Sequence, residues 1–478
     1  MKQIFYFLFI ATFIFGCKSE TDNETDTEVQ EDIASYEPID QEAIESAVIY
    51  EANIRQYSPE GTFDAFTEDI PQLRDLGVRI IWVMPINPIS EIKRKATGDK
   101  FTSEIEDPEE RKKYLGSYYS VSDYKAINPE FGTMEDFKEL VDTAHENGIY
   151  VIIDWVPNHT GWDHPWITDH PDYYTQNEKG EIIDPINPDT GESWGWTDTA
   201  DLNYDNMEMR QEMINDLKFW VENADIDGYR MDVAHKVPVD FFETVTRELK
   251  EIKPNIFMLA EAEQPDLLKN AFDMHYGWEV HHIFNEIAKG NMTVKAFDEY
   301  MEKTKNTLEE DDINMNFVTN HDENSWNGTL KERMPDSKEI FTALAYTMPG
   351  MPLIYSGQEY DMEKRLRFFE KDTIPKTKGR YYTVLQKLGE LKNSNEALSA
   401  GENAGSYERM ETANENILMF QRKKGDDTVI FVGNFSKNPQ TVEYNFNEEL
   451  EDYMHDRAVD LTNKKLGLGP WEYRIFVK

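Results

Sequence analysis

Four short stretches place charged residues at the ends of apolar runs: "DWVPNHT" from Asp154, "GYRMDVAHK" from Gly228, "LAEAE" from Leu259 and "FVTNHDEN" from Phe317. Charge is scarce in such runs unless it has a task. Arg230 and Asp232 are two residues apart, so in a strand they share one face. Side by side in a dry place they are costly without partners. Asp232, Glu261 and Asp322 close three separate runs. Three carboxylates meeting without a metal cluster suit glycosidic bond hydrolysis. A nucleophile must stay ionised, and a cation beside it, here Arg230 by Asp232, favours that form. An acid must hold its proton, and Glu261 follows the apolar "FMLA", a setting that favours the neutral carboxyl. Asp322 is left to grip sugar hydroxyls and stabilise positive charge. A retaining pair sits about 5–5.5 Å apart, which adjacent strands can provide. Glu263 shares a strand face with Glu261 and is its rival; its plainer reading is a rim carboxylate.

Such a site needs a scaffold that brings distant strand ends together. From Ala47 on, short apolar or β-branched runs alternate with amphipathic stretches. The runs are "AVIYEANI", "VRIIWVMPI", "IYVIIDWVPNHT", "IDGYRMDVA", "NIFMLAEAE", a weak one within "AFDMHYGWEV", "NMNFVTNHDEN" and "MPLIYSGQE". Continuous apolar strands between helices mean a parallel sheet covered on both sides. Eight such units predict an α/β fold, a (β/α)8 TIM barrel with catalytic groups at the C-terminal strand ends. Residues 46–158 and 202–394 form the barrel in this reading. Residues 159–201, rich in Trp, Pro, Asp and Gly, form a B subdomain inserted after strand three. Residues 395–478, with alternating runs such as "DTVIFVGNFS", form a C-terminal antiparallel β-sandwich.

The four stretches together resemble the signature regions of the α-amylase family of glycoside hydrolases. "GVRIIWVMPINPI", "ADLNYDN" and "GMPLIYSGQE" add family-like segments in the same order. The resemblance implies roles residue by residue. Asp232 matches the nucleophile, Glu261 the general acid/base and Asp322 the transition-state stabiliser. Arg230 matches the arginine that orients the nucleophile, and Asp154 an acidic residue supporting the site from below. His159 and His321 match histidines that bind the sugar being cleaved. Tyr119 matches the tyrosine stacked under that sugar, with Tyr118 a neighbouring rival. Asn158 and Asp201 match residues that often bind a structural calcium, a cation that favours such oxygen ligands. One order is reversed: His235-Lys236 stands where many relatives read Lys-His. His235 thereby takes the place of a lysine that reaches the next sugar subsite.

Composition narrows the partners. Of 478 residues, 49 are Lys or Arg and 93 Asp or Glu, a formal net charge of -44. Such a chain repels nucleic acid and anionic surfaces, so a neutral substrate, an α-glucan polymer or oligosaccharide, is expected. The single cysteine, Cys17, excludes an intrachain disulfide. It closes "MKQIFYFLFIATFIFGC", an export-signal pattern resembling a bacterial lipobox. Residues 1–17 are read as a signal with a lipidated cysteine and 18–45 as an acidic disordered tether. The expected location is exported, anchored by lipid to the outer membrane and facing the surroundings. His281, His282 and Glu286 read as a plain helix rather than a metal site. Trp162, Trp166, Trp194 and Trp196 are sugar platforms or core of the insertion. The activity read first is an α-amylase cleaving α-1,4-glucosidic bonds with retention. Rival readings are an α-glucosidase, a neopullulanase-like hydrolase, a trehalose synthase-type transglycosylase and, more remotely, a non-catalytic glucan-binding protein.

Overall fold

The computed structural model describes residues 40–98, 100–444, 450–458 and 464–478. The signal, Cys17 and most of the tether lie outside the described residues.

Eight parallel strands close into a barrel: β1 (Val48–Ala52), β2 (Val78–Val83), β3 (Tyr150–Trp155), β4 (Gly228–Met231), β5 (Phe257–Ala260), β6 (Met274–Tyr276), β7 (Ile313–Asn316) and β8 (Met351–Tyr355). Each strand pairs with its neighbours in sequence, and β8 returns to β1. The weak sixth run is a strand of three residues. Helices between the strands bury their apolar stripes against the outside of the barrel. Met134–Glu146, for example, starts at a capping box of Thr133 and Asp136 and buries Phe137, Leu140, Val141 and Ala144. The stretch "FDAFTEDIPQLRD" forms two short helices, Phe63–Thr67 and Ile70–Arg74, with Pro71 in the first turn of the second.

Strand alternation divides the residues into two layers. Ile49, Ile80, Trp82, Tyr150, Ile152, Phe257, Leu259, Met274, Tyr276, Met315 and Leu353 fill the barrel interior. Val48, Tyr50, Ile81, Val151, Ile153, Tyr229 and Met258 face the helices. By the same parity Glu51, Asp154 and Arg230 point inward above the apolar filling. Gly228 opens β4 because a Cβ there would meet the Phe257 carbonyl oxygen at 1.9 Å.

Between β3 and β4 the chain makes an excursion whose two ends pair as the short strands His159–Gly161 and Thr199–Asp201. After the barrel come a six-stranded antiparallel sheet and the pair Gln440–Glu443 with Lys465–Leu468. Ile417, Met419, Ile430 and Val432 of the first pack with Val442 and Leu468 of the second. Arg422 is fully buried and donates to the carbonyls of Thr347, Ser399 and Gly405, stitching this sheet to the barrel.

One expectation fails. Gln41–Ser46, read as the end of the tether, is a helix with Asp40 as its side-chain cap. Ile44 joins the apolar filling of the barrel, so burial outweighs the acidic composition around it.

Candidate active site

The C-terminal strand ends converge on Arg230. Its Nη1 donates to Asp154 Oδ1 at 2.8 Å and to Asp232 Oδ1 at 2.9 Å. Its Nη2 lies 3.0 Å from Glu261 Oε2. Tyr276 Oη accepts from Nε at 3.1 Å, and the Trp82 ring lies 4.8 Å from the guanidinium carbon. One cation therefore serves three carboxylates. Arg230 and Asp154 are both 0% exposed and form the floor of the site.

Two electrostatic expectations need correction. Arg230 does not hold Asp232 below the usual carboxylate range. Burial pushes the Asp232 carboxyl well up; Arg230 opposes this, while Glu261 and Asp154 add to the rise. The guanidinium is shared among three carboxylates, and its pull on Asp232 does not overcome burial. The second correction concerns Glu261. Its carboxyl is not in an apolar setting: Arg230 faces it, and the Val233 N–H donates to Oε2 at 2.8 Å. Val233 adopts φ 46, a left-handed conformation rare for a β-branched residue. That strained turn directly follows Asp232 and aims the amide at Glu261. Asp154, also buried, is raised to about 6, with Arg230 pulling against burial.

A cavity of about 460 Å³ opens above this floor. Tyr119, His159, Asp232, His235, Glu261, His321 and Asp322 all line it. Tyr119 is the tyrosine that faces it; Tyr118 is buried and donates to Asn53. Tyr119 stacks near the His321 ring at 5.6 Å and parallel to Phe368 at 6.4 Å. Burial lowers His159 to about 3, so it is neutral. Asn158 Nδ2 donates to its Nδ1 at 3.1 Å, which leaves the ring proton on Nε2. Glu263 turns away and accepts the Glu279 N–H at 2.7 Å, at the start of the helix Trp278–Lys289.

The four tryptophans divide. Trp196 lines the cleft and Trp194, 41% exposed, stacks on it at 6.0 Å. Trp162 donates to the Thr197 carbonyl and Trp166 packs on Tyr173, both holding the insertion together. Trp326, 52% exposed, lines the same cleft and packs on Phe368 and Phe369. The sequence reading passed over these three residues. Trp326 follows Asp322 by only four positions, which is the signal that could have drawn attention to it. Glu51 was also missed, though it is the single charge in β1.

His281 Nδ1 faces the Phe317 carbonyl, and Glu286 is occupied by Lys289 and Asn291, as a plain helix requires. Among the described residues no group of three or more His, Cys, Asp or Glu side chains could hold a metal. Asn158 and Asp201 lie on paired chain segments, but they fall short of the six to eight oxygens calcium takes. Their backbone carbonyls already accept from Leu202 and Thr175. Asp201 also lies in the field of the Lys236 ammonium, which sits 3.9 and 4.1 Å over the rings of Trp194 and Trp196.

The family model of the alpha-amylase catalytic domain matches residues 19–427. The chain belongs to the alpha-amylase family of glycoside hydrolases. It is similar to Alpha-amylase 3 of Dictyoglomus thermophilum, 26% identical over 89% of this chain and 92% of that one. It is also similar to the Maltogenic alpha-amylase of Bacillus acidopullulyticus, 28% identical over 80% of this chain and 64% of the relative. The crystal structure of an alpha-amylase from Lactobacillus plantarum superposes with a TM-score of 0.79 at 27% identity, covering 92% of this chain and all of that one. This chain is thus a glycosidase of the family, with the family's barrel.

Proposed function

We propose that the chain is an endo-acting α-amylase that cleaves α-1,4 bonds of starch-like glucans with retention. The observation that carries this is Asp232 and Glu261 on the two nitrogens of one guanidinium, in a cleft that Trp196, Trp326 and Phe368 also line. Two carboxylates spanned by a single guanidinium favour the close pair of a retaining enzyme over the ~6.5–9.5 Å of an inverting one. Asp232, held by Arg230, attacks the anomeric carbon and forms a glycosyl ester. Glu261 gives its proton to the departing oxygen, then removes one from the incoming water. Asp322 and His321 grip hydroxyls of the sugar over Tyr119, and Asp322 offsets the positive charge of the transition state. His159 donates from Nε2, and His235 borders the leaving-group side of the cleft.

Trp194–Trp196 and Trp326–Phe368 offer apolar faces for further glucose units. Two exposed aromatic pairs at the cleft offer a polymer more than one platform, which supports endo attack. A sugar held over Trp196 could instead accept the glycosyl group, so transfer is the second reading.

A time course of products from amylopectin, maltose and trehalose tests this. Mid-length oligosaccharides are expected first, with glucose late. Glucose as the sole early product would replace the reading with an exo-acting glucosidase, and conversion of maltose into trehalose would replace it with transfer.

We also propose export and lipidation at Cys17, on the sequence pattern alone. Cys17→Ser is expected to move the protein from the membrane fraction to the soluble fraction. Unchanged fractionation would remove the anchor.

A further inference from the structure

A buried carboxylate that this reaction scheme does not use lies behind His321. Glu51 points inward from β1 and is 0% exposed. Its Oε1 lies 2.5 Å from His321 Nδ1 and accepts from the His321 backbone N–H at 3.3 Å. Its Oε2 has no hydrogen-bond partner. On the other side of the ring, Nε2 lies 2.8 Å from Tyr119 Oη and 3.4 Å from Asp322 Oδ2.

Counting protons along this chain fixes the state of the ring. Asp154 accepts from Arg230 at 2.8 Å and from the Trp82 indole at 3.2 Å, so it acts as an acceptor. Tyr119 Oη has one proton and lies 3.1 Å from Asp154 Oδ2, where that proton goes. The contact between Tyr119 Oη and His321 Nε2 then needs a proton from the histidine. The contact to an ionised Glu51 needs one on Nδ1. With Asp154 and Glu51 both ionised, each ring nitrogen is a donor and the ring is an imidazolium.

We propose that Glu51 is a positioning residue for the glycosidase reaction, holding His321 as an imidazolium whose Nε2–H faces Asp322 and the sugar being cleaved. This rests on the reading of His321 and Asp322 as the walls around that sugar. The pairing solves a charge problem. An imidazolium alone would add a positive charge beside the positive transition state. Paired with Glu51 it supplies the donor while the pair stays neutral overall.

The groups facing the ring come from several elements: Glu51 of β1, Tyr119, Asp322 and, from β4, Arg230, with the Trp82 ring edge-on at 6.0 Å. Burial works against the charged ring, but Asp322 and Glu51 outweigh it and raise His321 to about 9, with Arg230 opposing.

The test is the pH dependence of kcat on soluble starch for wild type, Glu51→Gln and Glu51→Asp, with ¹⁵N shifts of His321 in the wild type. In Glu51→Gln the alkaline limb is expected to move down by about 2 pH units. At about pH 8 kcat then falls at least ~10-fold, while near pH 5.5 it stays within ~3-fold of wild type. Glu51→Asp is expected to restore part of the shift. An unchanged profile, or an equal loss at every pH, would overturn the proposal. So would a neutral His321 ring at pH 7 in the wild type, a result that does not depend on any variant folding. Asp232→Ala separates this from the parent reading: if that variant stays active the whole site is misplaced, whereas an inactive Asp232→Ala with an unshifted Glu51→Gln removes only the role of Glu51.

Discussion

Asp232→Ala is expected to lower starch hydrolysis on the order of 10⁴-fold or more, with the fold intact. In the proposed reaction this carboxylate forms the glycosyl ester, and Arg230 fills the floor behind it. Glu261→Gln is expected to cost roughly 10²–10⁴-fold on starch, the usual worth of a positioned acid. Its loss should be much smaller on an aryl glucoside whose leaving group departs without a proton. That difference separates the two carboxylates: the nucleophile is needed for every substrate, the acid only for poor leaving groups. The measurement is kcat/KM on starch and on the aryl glucoside for both variants, with circular dichroism as the control for folding. Activity within a few-fold of wild type in either variant on starch would place the chemistry elsewhere.

Arg230→Met is expected to be the most destabilising single change in the barrel interior. It removes the guanidinium from beneath the three carboxylates and leaves the buried Asp154 and Asp232 without their cation. Breaking a buried ion pair from one side costs about 3–5 kcal/mol, because the stranded partner cannot return to water. The carboxylates can respond only by taking up protons, so activity should fall with stability. Adding Asp154→Asn should recover part of the stability, since Asp154 is fully buried and then carries no charge. It should not recover activity, because Asp232 still lacks its orienting donor. Urea unfolding of wild type, single and double variants reads this. A loss below ~1 kcal/mol for Arg230→Met would mean that Asp154 and Asp232 carry no net charge in the folded protein, and the proposed nucleophile would be lost with it.

Much of the scaffold was legible because its signals are local. The eight apolar runs are short, bounded and separated by amphipathic stretches, and each became a strand at that place. The pairing of Arg230 with Asp232 followed from a spacing of two, which strand geometry converts into proximity. Gln41–Ser46 was misread because composition describes solubility, and one buried Ile44 decided its packing. Trp326, Phe368 and Phe369 were invisible as a group because their positions are far apart in sequence; only the fold brings the two loops together.

The sequence by itself determined the kind of molecule: a parallel barrel, the strand ends that carry carboxylates, and the family to which they belong. Tertiary structure decided how those charges behave. From sequence, Arg230 belonged to Asp232 and Glu261 to an apolar pocket. In the fold one guanidinium is divided among three carboxylates, and Glu51 reaches across from β1 to His321, 270 residues away. Periodicity and motif are properties of neighbouring residues and survive in a string of letters. The charge on a buried group depends on every dipole and charge around it, and those neighbours meet only when the barrel closes.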